Sequence, residues 1–324
     1  MTWQLSVGYI FFLVLVLWFA FVIMNHATHR RFWNHRRYEL LLITVPLGSE
    51  VQPFAAKHKL SEIGATAEFF QRLANYQITF AVEAAVHHVG EEIHFYIYAP
   101  KKYKKEIVQD VESLFPGAKV KTGDYDIWME GSEIEISHVR QSKPFLVPLS
   151  SAVVPTPDTF TEILRRLSQI RVIGEGVALQ WIIKPLSSSI KKQCVELVSS
   201  LKSGTARSFK LLDEGFLVTP QTIGVLEEKL TSQLYSVNCR LIVAHASRDE
   251  AKRLLRDIGE AFSRASSGML YNELYLVPAK KPNRSLAMFI NRTFDEKEEM
   301  ILNAQEIAGL FHFPTRRGAG LKAR

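Results

Sequence analysis

An uninterrupted apolar run near the N-terminus constrains this chain more than any other feature. It extends from Leu5 to Met24, reads LSVGYIFFLVLVLWFAFVIM and contains no charged residue. A helix needs about 20 apolar residues to cross the hydrocarbon core of a bilayer, so residues 1–24 are predicted to hold a transmembrane helix. A cleaved signal peptide is not expected, because no lysine or arginine precedes the run to form a basic n-region.

The charges that follow this run set the expected topology. The juxtamembrane segment 25–37 contains basic residues and no acidic residue. Positive charge beside a membrane helix stays on the cytoplasmic side. We therefore expect a single-pass protein of the cytoplasmic (inner) membrane, with the N-terminus outside and the bulk of the chain in the cytoplasm. The residues assigned to topology are Arg30, Arg31, Arg36 and Arg37.

The net charge of +7 is concentrated at the two ends of the 324-residue chain. The segment 316–324 is basic and lacks acidic residues, as is 25–37, so the body between them is close to neutral. The pI of 9.3 therefore does not indicate a nucleic-acid-binding face. The only cysteines, Cys194 and Cys239, lie in apolar stretches without a CxxC pattern, and we expect both to be core residues.

Residues 38–127 alternate between strand-like and helix-like patterns. Their order is β-α-β-β-α-β, which is typical of a ferredoxin-like unit with two helices on one face of an antiparallel sheet. Residues 145–278 repeat this order more loosely, beginning with a strand at FLVPL and containing an extra helical passage. The polar stretch 128–144 is interpreted as the boundary. The predicted fold is therefore α/β (α+β), a transmembrane helix followed by two ferredoxin-like two-layer units.

Catalytic motifs are missing from the sequence. There is no GxxxxGK[ST], GxGxxG, HExxH or GxSxG, so we expect neither an enzyme nor a bound cofactor or metal. A metal site at His87, His88 and His94 would need a further ligand, and surface histidines on a hairpin explain them better.

The strand EIHFYIYAP places two different sets of side chains on its two faces. Ile93, Phe95 and Ile97 alternate with His94, Tyr96 and Tyr98. The second set would lie on the open face of a ferredoxin-like sheet, where RNA-recognition domains stack bases on aromatic rings. The favoured interpretation is that this face packs against the second unit or a partner, because the body of the chain is close to neutral.

The segment 279–324 contains a polar linker, AKKPNRS, a docking helix and a basic tail. Within it, ILNAQEIAGLFHFP resembles the segment that precedes the ATPase domain in conjugation and type IV secretion-like ATPases of the TraG/TraD coupling class. The N-terminal membrane helix, basic segment and paired α/β units are similar in arrangement too. Asn303 and Glu306 also form a predicted capping box. The residues assigned to partner docking are Asn303, Glu306, Ile307, Leu310, Phe311, His312, Phe313 and Pro314.

The resemblance implies a partner but not an activity. In that family the segment leads into a P-loop motor, whereas here it leads into RRGAGLKAR, so we expect the motor on another chain or lost by truncation. The expected function is a non-catalytic membrane platform that anchors or recruits a P-loop ATPase motor or other secretion-system protein, and the resemblance also implies a homo-oligomer. The alternative is a membrane-anchored nucleic-acid-binding protein that uses the aromatic sheet face and the basic tail.

Overall fold

The computed structural model describes most of the chain beyond the predicted membrane segment. The chain divides into two units, residues 1–39 and 40–324, and the architecture below is that of the second. The predicted transmembrane helix lies outside the described residues, and none of the helices that are described is both long and apolar enough to span a bilayer. The described residues are 37–45, 62–87, 92–149, 159–170, 173–205, 218–263 and 271–314.

Nine strands and eight α-helices form the described part of the chain. The strands are β1 (Tyr38–Thr44), β2 (Phe80–Val86), β3 (Ile93–Pro100), β4 (Lys119–Thr122), β5 (Glu133–Gln141), β6 (Gly176–Pro185), β7 (Leu234–His245), β8 (Leu274–Pro278) and β9 (Met300–Asn303). The helices are α1 (Glu62–Asn75), α2 (Lys104–Leu114), α3 (Thr159–Leu167), α4 (Ser188–Lys202), α5 (Pro220–Thr231), α6 (Arg248–Ser263), α7 (Pro282–Ile290) and α8 (Ala304–Leu310).

All nine strands belong to one sheet, in the order β4-β1-β3-β2-β6-β7-β5-β8, with β9 also paired to β7. Two four-stranded halves meet where β2 and β6 pair antiparallel, with Phe80 opposite Ile183 and Val86 opposite Val177. Counted from this junction, the second half repeats the strand order of the first. The helices α4 and α5 are an insertion between β6 and β7. The prediction of a mixed α/β fold with an antiparallel sheet is confirmed.

Five helices cover one face of the sheet and form the main core with it. Apolar side chains of α1, α2, α3, α6 and α8 pack on the alternate residues of the strands that point toward them, as the period of two in a strand requires. The short helix α8 contacts both α1 and α3. The ring of Phe311 lies 5.1 Å from Phe160, and the ring of Phe313 lies 5.1 Å from Phe115. The C-terminal segment therefore fills the groove between the helices of the two halves.

Three stretches expected to be irregular or extended have different structures. The predicted boundary 128–144 contains β5, which pairs with both β7 and β8. Its sequence EIEISHVRQ is polar because one of its faces meets polar groups rather than an apolar core. FLVPL is a turn rather than a strand, although Leu146, Val147 and Leu149 are buried. The expected linker AKKPNRS contains the start of α7, which Pro282 opens at its first turn.

The register of the strands places Leu40 and the residues just before Pro314 toward opposite ends of the sheet. We call the end of the sheet where β3 and β6 finish the entry end. Leu40 lies at this end, where its carbonyl accepts a hydrogen bond from the Gly123 amide. The other end, where β2 and β7 finish, is the exit end. Because α1 leads into the start of β2, the first turn of α1 lies toward the exit end. There His312 contacts Glu62, and the Phe313 amide donates to Thr66.

Truncation of the aromatic ring at Phe311 tests how much the buried C-terminal segment contributes to the fold. We expect Phe311→Ala to lower the free energy of unfolding by about 3–5 kcal/mol, because it leaves a cavity between the two halves. The exposed Gln305 on the same segment is the matched control, and Gln305→Ala should change it by less than about 0.5 kcal/mol. Urea unfolding of the purified protein measures both. Equal effects of the two variants would contradict the packing described.

Candidate functional site

A row of polar side chains crosses the face of the sheet opposite the five helices. Its members lie directly opposite one another on β3, β2, β6, β7 and β5, and we call them the polar row. Every member is at least nine-tenths buried. The polar row consists of Tyr96, Glu83, Gln180, Arg240 and His138.

Residues 282–299, which we call the strap, cover most of this row. The His138 Nε2 atom lies 3.0 Å from the Ser285 hydroxyl oxygen on α7. The side-chain amide of Gln180 donates to the Phe289 carbonyl at 3.0 Å, and Arg240 donates to the Thr293 carbonyl at 2.6 Å. A buried polar group costs free energy unless it is paired. These hydrogen bonds between the row and the strap fix where the strap lies.

Glu83 is the centre of this network. Its carboxylate accepts two hydrogen bonds from Arg292, at 2.9 and 3.1 Å, and one from the Tyr125 hydroxyl at 2.7 Å. The Gln180 amide donates to the same carboxylate at 2.8 Å. Burial, and then the Glu83 charge, raise the pKa of Tyr125 well above its usual range, so this hydroxyl remains a neutral donor. The carboxylate is saturated with donors and holds Arg292 on the sheet.

Arg240 is a buried cation with neutral partners. Besides Thr293, it donates to the Gln180 side-chain oxygen at 2.9 Å, and no carboxylate in the described residues forms an ion pair with it. Burial lowers its pKa to about 10, although Asp295 and other carboxylates act in the opposite direction. Its Nε atom finds no hydrogen-bond partner within the described part of the chain. Arg240 therefore holds the strap through its hydrogen bonds to the Thr293 and Met288 carbonyls.

The network fixes backbone positions, and the strap covers its central members. Glu83, Gln180 and Arg240 are fully buried, so a substrate cannot reach them while the strap is in place. Across the residues that the structure describes, no group of three or more histidine, cysteine or carboxylate side chains is arranged to hold a metal ion. Both cysteines are buried free thiols, which confirms their prediction as core residues.

The aromatic face predicted to be open is covered. Tyr96 is 1% exposed and Tyr98 is 8% exposed. The ring of Tyr125 stacks on Tyr96 at 4.6 Å, and the Arg292 guanidinium lies 5.0 Å from the Tyr98 ring centre. His94, which is half-buried, stacks with His87 at 4.4 Å. These rings pack against the same chain, so Tyr96 and Tyr98 do not form an exposed stacking surface, and packing, the interpretation favoured for His94, Tyr96 and Tyr98, describes their contacts better.

The predicted capping box at the start of α8 is confirmed. The Glu306 amide donates to Asn303 Oδ1 at 2.8 Å, and the Asn303 amide donates to Glu306 Oε2 at 2.7 Å. The Glu306 carboxylate also pairs with the buried Lys229 ammonium at 3.0 Å and accepts the Leu149 amide at 2.8 Å. Burial lowers the pKa of Lys229, and the Glu306 charge opposes that shift. The box therefore attaches α8 to α5 as well as beginning a helix.

The partner-docking residues predicted on this segment are in the wrong place for a docking surface. All of them are buried within the chain's own core, because the groove between α1 and α3 already accommodates them. Those residues are Asn303, Glu306, Ile307, Leu310, Phe311, His312, Phe313 and Pro314. Of the predicted topology residues, Arg37 is exposed, whereas Arg30, Arg31 and Arg36 lie outside the described residues.

Sequence reasoning missed the polar row and the strap. A signal was present, since Glu83 stands alone in FAVEAAV and Arg240 stands alone in NCRLIVAH. An isolated charge in an apolar strand indicates a buried group with a specific partner. The partner itself was not readable, because Arg292 lies 209 residues from Glu83 in sequence.

Comparison with known proteins adds no assignment. No known protein family matches the chain, and no curated protein matches it.

The pair formed by Glu83 and Arg292 can be tested by a double-mutant cycle. We expect Glu83→Gln to lower the free energy of unfolding by about 3–5 kcal/mol, because it leaves a largely buried guanidinium unpaired. Adding Arg292→Met should restore part of that loss, since the unpaired charge is then removed. Urea unfolding of the two single variants and the double variant measures the coupling. Additive losses would contradict the pairing.

The burial of His138 makes stability depend on pH. Burial lowers the pKa of His138 below its usual 6.5, so the unfolded chain takes up a proton first as pH falls. Its contribution is complete above pH 6.5 and decreases from there down to the folded-state pKa. We expect His138→Gln to reduce the loss of stability between pH 7.5 and 5.5. Ser285→Ala, which keeps the imidazole, should retain that loss, and an unchanged loss in His138→Gln would contradict the assignment.

Proposed function

We propose that this protein is a non-catalytic membrane platform that holds a P-loop motor ATPase at the cytoplasmic membrane. In this proposal residues 5–24 anchor the chain, Arg30, Arg31, Arg36 and Arg37 set its topology, and the folded unit positions the motor. The resemblance of residues 301–314 to the segment ahead of coupling-class ATPase domains motivates the kind of partner.

One observation carries the proposal. The folded unit begins with Leu40 at the entry end of the sheet, and Pro314 follows the residues that contact the first turn of α1, toward the exit end. Between them the C-terminal segment lies on one face as α7, enters the sheet as β9 and continues on the other face as α8. A rigid unit with its two connections at opposite ends suits a spacer between a membrane and a motor.

The two halves of the sheet resemble a known small fold in the arrangement of their strands and helices. We infer that each half of the sheet is a ferredoxin-like unit, because β4-β1-β3-β2 and its repeat each combine four antiparallel strands with two helices on one face. The insertion of α4 and α5 in the second half explains why that half is the looser repeat in sequence. Neither unit has a free edge at the junction, so the two form one body.

The surface proposed to contact the motor differs from the one expected from the sequence. Because the side chains of the C-terminal segment are buried, the motor would contact the surface around α8 rather than the segment's apolar residues. The last turn of α8 is the part of this helix nearest the exit end, and Gly309 there is half-buried, with open space where a side chain would begin. The proposal needs no cofactor on this chain, and it allows copies of the platform to assemble with the motor. The aromatic nucleic-acid face has no support from the contacts above.

Photo-crosslinking in native membranes tests this proposal. A benzoylphenylalanine residue in place of Gly309, in the full-length protein, should crosslink to a P-loop ATPase identified by mass spectrometry. The same substitution at Lys192 on α4, an exposed position on the inserted helices, is the matched control. We expect at least a tenfold higher yield at position 309.

Two results would overturn the proposal. The first is an ATPase crosslink of equal yield at positions 309 and 192, which would indicate random collision in the membrane. The second is release of the full-length protein from membranes by alkaline carbonate, which would exclude the transmembrane anchor.

A further inference from the structure

We propose that a lysine-rich turn at the entry end binds the anionic surface of the bilayer. The turn comprises residues 101–105, KKYKK, between β3 and α2, and we call it the lysine turn. The inference rests on the membrane anchor in the proposed function and adds a second contact between the folded unit and the lipid.

The position of the lysine turn is the first argument. Its Lys104 ammonium donates to the Thr122 hydroxyl at 3.0 Å, and Thr122 lies opposite Leu41 in the β1–β4 pair. The next residue, Gly123, donates to the Leu40 carbonyl at 2.9 Å. The lysine turn therefore contacts β4, the strand that pairs with β1 beside Leu40, where the chain enters this unit. Residues 1–37, with the apolar run, are connected to that point.

The chemistry of the turn is the second argument. Lys101, Lys102 and Lys105 are exposed, and no acidic residue interrupts the run. Tyr103 stacks on Tyr76 with ring centres 4.8 Å apart, and the Lys102 ammonium lies 4.5 Å from the Tyr103 ring centre. Tyrosine beside lysine is the pair of residue types that proteins place at the headgroup level of a membrane.

The positive charge of the lysine turn matches the negative charge of an anionic lipid surface. Each lysine near an anionic leaflet strengthens binding about fivefold, and the attraction is lost within about 8 Å at physiological salt. A tether at Leu40 keeps the turn close to the bilayer, so weak individual contacts act at a high effective concentration. Several lysines are then enough to hold one end of the sheet against the membrane.

Energy transfer in proteoliposomes tests this contact with the full-length protein. A dye at Asn75→Cys, an exposed position beside Tyr76, reports distance to a rhodamine-labelled lipid headgroup. The native cysteines are buried and should not label. We expect transfer to rise when phosphatidylglycerol replaces 30% of the phosphatidylcholine, and to fall again in 0.5 M NaCl.

Charge-reversal variants test which lysines bind the anionic bilayer. Lys102→Glu/Lys105→Glu should weaken the lipid-bound state at least 25-fold and remove the dependence on phosphatidylglycerol. Lys280→Glu/Lys281→Glu is the matched control, because it reverses two adjacent exposed lysines toward the exit end. The control should behave as the unmodified protein does. Thermal unfolding of both variants should match the parent, since the four side chains are exposed.

Two outcomes would overturn the inference while leaving the anchor intact. One is energy transfer that does not change with phosphatidylglycerol, and the other is an equal loss in both charge-reversal variants. Extraction by alkaline carbonate is measured on the same samples and does not depend on the lysines. Release by carbonate together with phosphatidylglycerol-dependent transfer would instead overturn the proposed anchor and support the lysine turn.

Discussion

The antiparallel pairing of β2 with β6 is the interaction on which the rest of this structure depends. It joins two four-stranded halves into one sheet and brings Glu83 directly opposite Gln180 at its centre. On one face, the junction creates the groove that α8 and the phenylalanines after it occupy. On the other face, it brings together the polar residues that hold the strap. Without the pairing, neither face would have a continuous surface on which the C-terminal segment could pack.

Much of the fold was predictable because its signals are local. Periodicity identified the strands and helices of residues 38–127, and the pairing of Asn303 with Glu306 identified the start of a helix. The stretch that contains β5 was interpreted as a boundary because Glu133, His138 and Arg140 make its sequence polar. His138 is buried all the same, because Ser285 satisfies it from 147 residues away. Polarity indicates exposure only when no distant segment supplies a partner.

The candidate site was less predictable than the fold, for a related reason. A docking helix was inferred, and a base-stacking face was considered as an alternative, from side chains that are apolar or aromatic on one stripe. Such stripes are equally suited to a partner and to the chain's own core. Tyr96 lies under Tyr125, and Phe311 lies against Phe160, so in both places the chain itself is the partner. Only contacts between distant segments distinguish the two cases.

The alignment of the strands has a mechanical consequence. A pull on Leu40 directed away from the entry end would act along β1, which pairs with β4. The hydrogen bonds of an antiparallel sheet are perpendicular to its strands, so such a load shears several of them at once. Strands peeled from an edge break these bonds one at a time. The fold is thus oriented to resist tension that reaches it through β1.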